Sequence, residues 1–196
     1  MTELQDMAEL AARYVNTTDR HIFLTGKAGT GKTTFLKYIV EHTYKNTVIA
    51  APTGIAAINA GGVTLHSLLQ LPFGTFIPEN IPISSSESRI NIPQTLFQNS
   101  KFNANKRKLI QELELLIIDE VSMLRADLLD CIDHTLRYIR KKQKPFGGLQ
   151  MLFIGDLMQL PPVVRDDELN LLKGFYKTPY FFEARALENH PPILVE

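Results

Sequence analysis

The chain has 196 residues, 44% apolar and 21% charged, with 21 basic and 21 acidic side chains that cancel to a formal net charge of zero. That is enough for one domain with a full core. The balance excludes a protein coated in basic charge, though not a local basic track, and the single cysteine, Cys131, excludes a disulfide framework and points to a reducing compartment.

The N-terminal stretch MTELQDMAELAARYV repeats apolar residues at Leu4, Met7, Ala8, Ala11 and Val15, which is the spacing of an amphipathic helix. It carries Glu3, Asp6 and Glu9 instead of a basic start and an apolar run, so it does not read as a signal peptide. No stretch reaches the roughly 18 apolar residues of a membrane span. HIFLT (21–25) predicts a short buried strand, followed by a glycine-rich turn and a helix to about Glu41. TVIAA (47–51) is the second strand, broken by Pro52, after which Thr53 can cap a short helix through Ala60 that Gly61 and Gly62 end. Residues 72–95 read as irregular, with Pro72, Pro78, Pro82 and Pro93 and the run SSSES at 84–88. A helix over 103–112 leads into the third strand, LELLIID. Residues 124–142 read as a long helix, LQMLFI (149–154) as the fourth strand and PPILVE as a fifth. Apolar strands alternating with helices predict an α/β domain: a parallel sheet covered on both faces, with ligands beyond the carboxyl ends of the strands.

Two motifs carry chemistry. GKAGTGKT (26–33) has the spacing G-x-x-x-x-G-K-S/T and lies between a strand and a helix, as a phosphate-binding loop requires. Its glycines let the backbone turn inward so that its amides cradle phosphate at a helix N-terminus. Lys32 reaches the outer phosphates and the Thr33 hydroxyl can hold Mg²⁺. LLIIDEVSML (115–124) ends a buried strand in two adjacent carboxylates, Asp119 and Glu120. Neighbours on a strand point to opposite sides, so one can support the metal and the other accept a proton from water. The plainer reading of these acids is a strand-to-helix turn favoured by the helix dipole. No His/Cys cluster has metal-ligand spacing, so Mg²⁺ is the metal expected. GDLMQLPPV (155–163) then sets Gln159 just ahead of a stiff Pro161-Pro162 pair at the exit of the fourth strand.

The order of these motifs, with APTGIAAINAGGVTLHS (51–67) and KPFGGLQMLFIGDLMQLPPV (144–163), resembles superfamily 1 DNA helicases of the 5′-to-3′ group, specifically the Pif family, with RecD-type helicases as relatives. The resemblance spans residues 20–164 and is weak over 70–110. It implies a P-loop NTPase of RecA-like fold acting as an ATP-dependent DNA helicase. Gly26, Lys27, Ala28, Gly29, Thr30, Gly31, Lys32, Thr33 and Thr34 would bind ATP. Thr33 and Asp119 would hold Mg²⁺, Glu120 would activate water and Gln159 would sense the γ-phosphate. Pro52, Thr53 and Gly54, with Thr64 and His66, would approach single-stranded DNA. The family's adenine-reading glutamine lies ahead of the phosphate loop, where Gln5 is the one candidate. The implied partners are single-stranded and forked duplex DNA and a second motor lobe bearing the completing arginine. None of the later motifs is recognised before Glu196, so the expectation is a first motor lobe of a longer, monomeric helicase, nearly inactive alone. It would act in a bacterial cytoplasm or nucleoid, or in a eukaryotic nucleus or mitochondrion, in replication, repair or recombination. The competing classes are another P-loop ATPase, which the QLPPV segment disfavours, and a nucleotide switch, which Glu120 disfavours.

Three features stay open on sequence alone. RYIRKKQK (137–144) is either a phosphate contact or a solvated helix end. His66 either touches a nucleotide or starts a helix. Phe175, Tyr176, Tyr180, Phe181 and Phe182 are either a stacking surface or core. Residues 72–108 read as a small insertion, with FGTFIPENIPI as a short hairpin or the serine run as a spacer.

Overall fold

Strands without polar alternation must be covered on both faces, and the chain builds a sheet that satisfies this. The computed structural model describes residues 3–27, 29, 31–82, 89–97 and 102–196. In chain order the elements are α1 (Glu3–Thr17), β1 (Ile22–Leu24), α2 (Lys32–His42), β2 (Thr47–Ala51), α3 (Gly54–Asn59), β3 (Val63–Thr64), α4 (Leu65–Leu69), β4 (Thr75–Phe76), β5 (Ile90–Asn91), α5 (Ala104–Glu112), β6 (Leu115–Ile118), α6 (Ala126–Arg140), β7 (Gln150–Ile154), α7 (Asp166–Leu172), α8 (Arg185–Glu188) and β8 (Ile193–Val195).

Six strands form one sheet in the order β3-β2-β6-β7-β1-β8, and every pairing is parallel. Alternate residues serve opposite faces. Phe23, Leu116, Ile118, Met151 and Phe153 pack with Leu129, Ile132 and Leu136 of α6 and Ile110 of α5. Ile22, Leu24, Leu115, Ile117, Leu152 and Ile154 pack with Ala11, Ala12 and Val15 of α1 and Phe35, Leu36 and Ile39 of α2. The predicted fold class is therefore the observed one.

Several local expectations change. The long helix begins at Ala126, not at 124. Glu120 is left-handed, residues 121–123 form a 3₁₀ turn, and the segment then extends so that Arg125 bridges antiparallel to Tyr180. The proline-rich stretch is not wholly irregular, and its described residues form a parallel pair instead of an antiparallel hairpin: β4 and β5 pair Thr75 with Ile90 and Phe76 with Asn91. The serine run at 84–88 lies outside the described residues. Tyr176 and Phe181 are buried, so that part of the aromatic cluster is core. In the basic run, Arg137 pairs with Asp133 at 2.8 Å and Arg140 donates to the Gly147, Ile110 and Leu113 carbonyls. Those two arginines hold the fold, whereas Lys141, Lys142 and Lys144 are exposed. Cys131 is buried and its thiol is pushed up by burial and then by Asp127 and Asp130, so it is inert packing.

A buried polar node fixes the small β4/β5 pair to the main body. The Arg125 guanidinium donates to both Asp127 oxygens at 2.9 Å and to Glu168 of α7 at 3.0 Å. Asp127 also accepts the Phe76 amide at 3.0 Å, and Glu168 accepts the Thr75 hydroxyl at 3.0 Å. A carboxylate this buried is tolerated because it is charge-paired and hydrogen-bonded.

His21, ahead of β1, is buried, with its Nδ1 accepting the Met151 amide at 3.2 Å and its ring edge-on to Phe146. Burial, then His190 and Arg20, lower its pKa from 6.5 to about 4. Between those values the unfolded chain binds a proton that the folded chain refuses, so stability is fully present above pH 6.5 and lost as pH falls toward 4. The loss amounts to about 3 kcal/mol at most. Urea unfolding from pH 7 to pH 4 should show this slope, shallower in His21→Gln, whose amide oxygen can still accept from Met151. Burial also lowers His66 and His134, so the wild-type-minus-variant difference is the informative quantity. An unchanged slope would remove His21 from the account.

Candidate active site

Parallel pairing brings three loops to one sheet edge. Leu24 registers with Ile154, and Ile118 with Phe153, so the chain leaves β1, β7 and β6 side by side. The Gly155 amide donates to the Leu24 carbonyl at 3.2 Å, tying two of these exits together.

The phosphate-loop motif occupies the β1 exit. Gly29 (φ 83°) and Gly31 (φ 85°) take the left-handed backbone that glycine adopts freely, and Gly31 opens α2. Lys32 folds back over the loop, its Nζ donating to the Gly26 carbonyl at 2.5 Å and the Lys27 carbonyl at 3.0 Å. Thr33 and Thr34 lie exposed on the first turn of α2. Ala28 and Thr30 lie outside the described residues. Gln5 is on α1, but its side chain lies outside them too.

The β6 exit carries the two acids. The Glu120 amide donates to Asp119 Oδ1 at 2.9 Å. Glu120 itself has φ 52°, an uncommon state for a residue with a Cβ and a form of strain that gathers at functional sites. Burial pushes the Asp119 carboxyl up, opposed by the Glu120 amide and Lys32. Burial, then Asp119, push the Glu120 carboxyl up, with Asp156 adding and Lys32 opposing.

At the β7 exit Asp156 organises the turn. Its Oδ1 accepts the Met158 amide at 3.0 Å and its Oδ2 the Gln159 side-chain amide at 3.4 Å. Gln159 is exposed, and of the two prolines that follow, Pro161 is exposed and Pro162 buried. Sequence reasoning passed over Asp156 and Gly155. An Asp whose carboxylate takes the amide two residues on is an Asx-turn signal that the quoted motif already contained. Gly155 shows its reason only in space: a Cβ there would lie 3.0 Å from the Val121 amide nitrogen, immediately after Glu120. At that approach of the β6 and β7 exits, a side chain would fit only if the backbone at Val121 gave way by a few tenths of an ångström.

Two strands away, Ala51 registers with Thr64, which sets Pro52-Thr53-Gly54 beside Thr64 and His66. Thr53 caps α3, accepting the Ala56 amide at 3.3 Å, and Thr64 caps α4, accepting the Ser67 amide at 3.1 Å. Each hydroxyl keeps its own proton to donate. A Cβ on Gly54 would meet open space, so packing does not require glycine there. His66 stacks on Phe73 at 5.4 Å.

Among the described residues no three His, Cys, Asp or Glu side chains converge as a protein-only metal cage. A hydroxyl on α2 and a carboxylate at the β6 exit instead fit Mg²⁺, which keeps waters and takes phosphate oxygens. Among those residues, no helix is long and apolar enough to cross a membrane.

The sheet order, the loop between β1 and α2, and the acids beside it define a P-loop nucleoside triphosphatase of RecA-like architecture. The PIF1-like helicase family model matches residues 5–172, and the chain belongs to that family. It is 34% identical over 171 residues to the ATP-dependent DNA helicase PIF1 of Saccharomyces cerevisiae, covering 85% of this chain and 17% of that protein. The Pif1 of a Psychrobacter species is 33% identical over 185 residues, 91% of this chain and 25% of that one. The structure of Bacteroides Pif1 bound to single-stranded DNA superposes on the whole chain with a TM-score of 0.82 and 44% identity, over 41% of its own length. That of Bacteroides sp. Pif1 with ADP-AlF4 superposes with a TM-score of 0.86 and 43% identity, over 42%. The chain thus spans well under half of each relative.

Proposed function

We propose that this chain is the nucleotide-binding lobe of an ATP-dependent DNA helicase that moves 5′ to 3′ on single-stranded DNA and opens forked duplexes, working with a second lobe of the same longer protein. The observation that carries the reading is the meeting of Lys32, the Asp119–Glu120 pair and Gln159 at neighbouring exits of one parallel sheet, with the Thr53–Thr64 edge on the strands beside them.

In this reading the amides of residues 26–34 cradle the triphosphate, and Lys32 leaves the Gly26 and Lys27 carbonyls to meet the outer phosphates. Thr33 and Asp119 would hold Mg²⁺, which would screen the charge of the phosphates. Glu120 takes the proton of the attacking water. Its raised pKa suits that task, since a base works best near the operating pH. Thr53, Gly54 and Thr64 offer a hydroxyl proton or an open backbone approach to the DNA chain. Gln5 is the adenine-reading candidate. An arginine from the second lobe completes the site; such a group is worth about 10³–10⁵ in rate where it has been measured.

The test is ATP hydrolysis by the full-length protein with and without single-stranded DNA, and unwinding of forks with 5′ or 3′ tails. Hydrolysis indifferent to DNA would sink the motor reading, and a 3′-tail requirement would sink the polarity.

Gln159 gives a narrower prediction. An amide can donate to a phosphate oxygen and accept from water. Pro161 and Pro162 each fix their own φ, so a shift at Gln159 passes into the segment beyond. Gln159→Ala should leave nucleotide affinity within a few fold and lower DNA-stimulated hydrolysis about 10- to 100-fold, the worth of one hydrogen bond to a charged group. It should also shrink the gap in single-strand affinity between ATP-analogue and ADP states. A gap that survives intact would end the sensor role.

A further inference from the structure

Phe73 is 85% exposed, with one face of its ring stacked on His66 at an interplanar angle of 15°. A single exposed apolar residue needs no explanation in general. This one is unusual in its mounting. Its carbonyl accepts the Asn91 side-chain amide at 3.1 Å. Gly74, next to it, has φ 109° and lies so close to the Arg89 carbonyl that any side chain would collide with that backbone. The Thr75 amide donates to the same Arg89 carbonyl at 2.9 Å. Thr75 and Phe76 are in turn held by Glu168 and Asp127, and Phe76 and Ile77 are buried. An open aromatic ring is therefore presented by some of the most firmly tied backbone of the insertion, with the entropy of ordering it already spent in folding.

We propose that the His66–Phe73 stack is a platform for one unpaired nucleobase, so that the insertion contributes base stacking to a single-strand track whose phosphates are met elsewhere. This rests on the DNA-binding reading above. Three observations favour a base over other occupants. The stack is flat and already two rings deep, so a third planar ring extends it without rearrangement. His66 lies two residues beyond Thr64, as Thr53 lies two beyond Ala51, with which Thr64 registers, so the stack rises from the edge assigned to DNA. Cations stand close by in the chain path: exposed Arg89 opposite Gly74, and Lys106, whose ammonium donates to the Ser67 carbonyl of α4. Stacking on an aromatic face tolerates any base, which suits a protein that must step along arbitrary sequence.

The experiment uses the full-length protein and two oligonucleotides of equal length, oligo-dT and its abasic counterpart, which keeps every phosphate. Phe73→Ala should weaken binding to oligo-dT by roughly 5- to 100-fold, the range of one base–aromatic stack, and leave abasic binding unchanged. Phe73→Trp, which keeps a ring, should restore oligo-dT binding. Phe73 is exposed, so its truncation leaves the core intact, and an unchanged melting temperature checks this. Equal weakening on both oligonucleotides would overturn the platform and make Phe73 a support for the backbone track. No effect on either would also overturn it and leave a protein surface as the partner of the ring. Failure of the wild-type protein to bind oligo-dT would overturn the DNA reading itself, an outcome separate from these.

Discussion

Glu120→Gln in the full-length protein should lower steady-state ATP turnover by about 10²- to 10⁴-fold, the usual contribution of a positioned general base, while nucleotide affinity stays within a few fold. The substitution keeps the shape of the side chain and replaces a basic carboxylate by an amide too weakly basic to take the proton. Because Glu120 sits at φ 52° whichever of the two side chains it carries, the backbone strain is common to both and drops out of the comparison. Removing one negative charge from the Asp119–Glu120–Asp156 neighbourhood relieves the repulsion that adds to burial in raising Glu120, so binding of a polyanion should not suffer. Nucleotide affinity by calorimetry and phosphate release by a coupled assay measure the two quantities separately. Normal hydrolysis by the variant would move the base to Asp119 or to water alone.

Lys32→Ala should bring DNA-stimulated hydrolysis down by about 10²- to 10³-fold, as loss of one donor to a developing anionic charge does in other enzymes, and should weaken ATP binding as well. Two roles are lost: the ammonium that meets the phosphates when nucleotide is bound, and the donor that ties the Gly26 and Lys27 carbonyls when the loop is empty. Lys32→Arg separates them: a guanidinium keeps the charge, but its planar fork does not replace a compact ammonium among close carbonyls. Turnover in Lys32→Ala within tenfold of wild type would remove Lys32 from the phosphate site.

What could be read from the sequence was what local chemistry determines. The glycine spacing at 26–31, the apolar runs of β1, β2, β6, β7 and β8, and the Thr53 cap each follow from a few adjacent residues, and the structure contains them. What could not be read depended on partners far along the chain. The parallel β4/β5 pair is two residues long on each side and is held by Asp127 and Glu168, some 50 and 90 residues away in sequence. The late start of α6 follows from the left-handed turn at Glu120 and the bridge to Tyr180, neither of which has a periodic signature. Of the candidate residues, Lys32, Asp119, Glu120 and Gln159 lie at neighbouring strand exits, and Thr53, Thr64 and His66 at the exits of β2 and β3 beside them. Gly155 escaped notice because only the close approach of Val121 gives it a reason.

The position of β1 also has a consequence for how the protein is made. This strand carries the phosphate loop and lies between β7 and β8, with Ile22 registered to Leu152 and Ile193. At about 5–20 residues per second of synthesis, the strand waits on the order of ten seconds for its nearer partner to leave the ribosome. Until then its apolar face has no sheet to join, although β2, β3 and β6 can already pair with one another. The nascent chain therefore assembles the β2–β3 edge, with Thr53 and Thr64, before the exits that carry the phosphate loop and Gln159. A nucleotide held by the β1 loop can stabilise this sheet only once residue 154 has been translated and β7 has paired with β1.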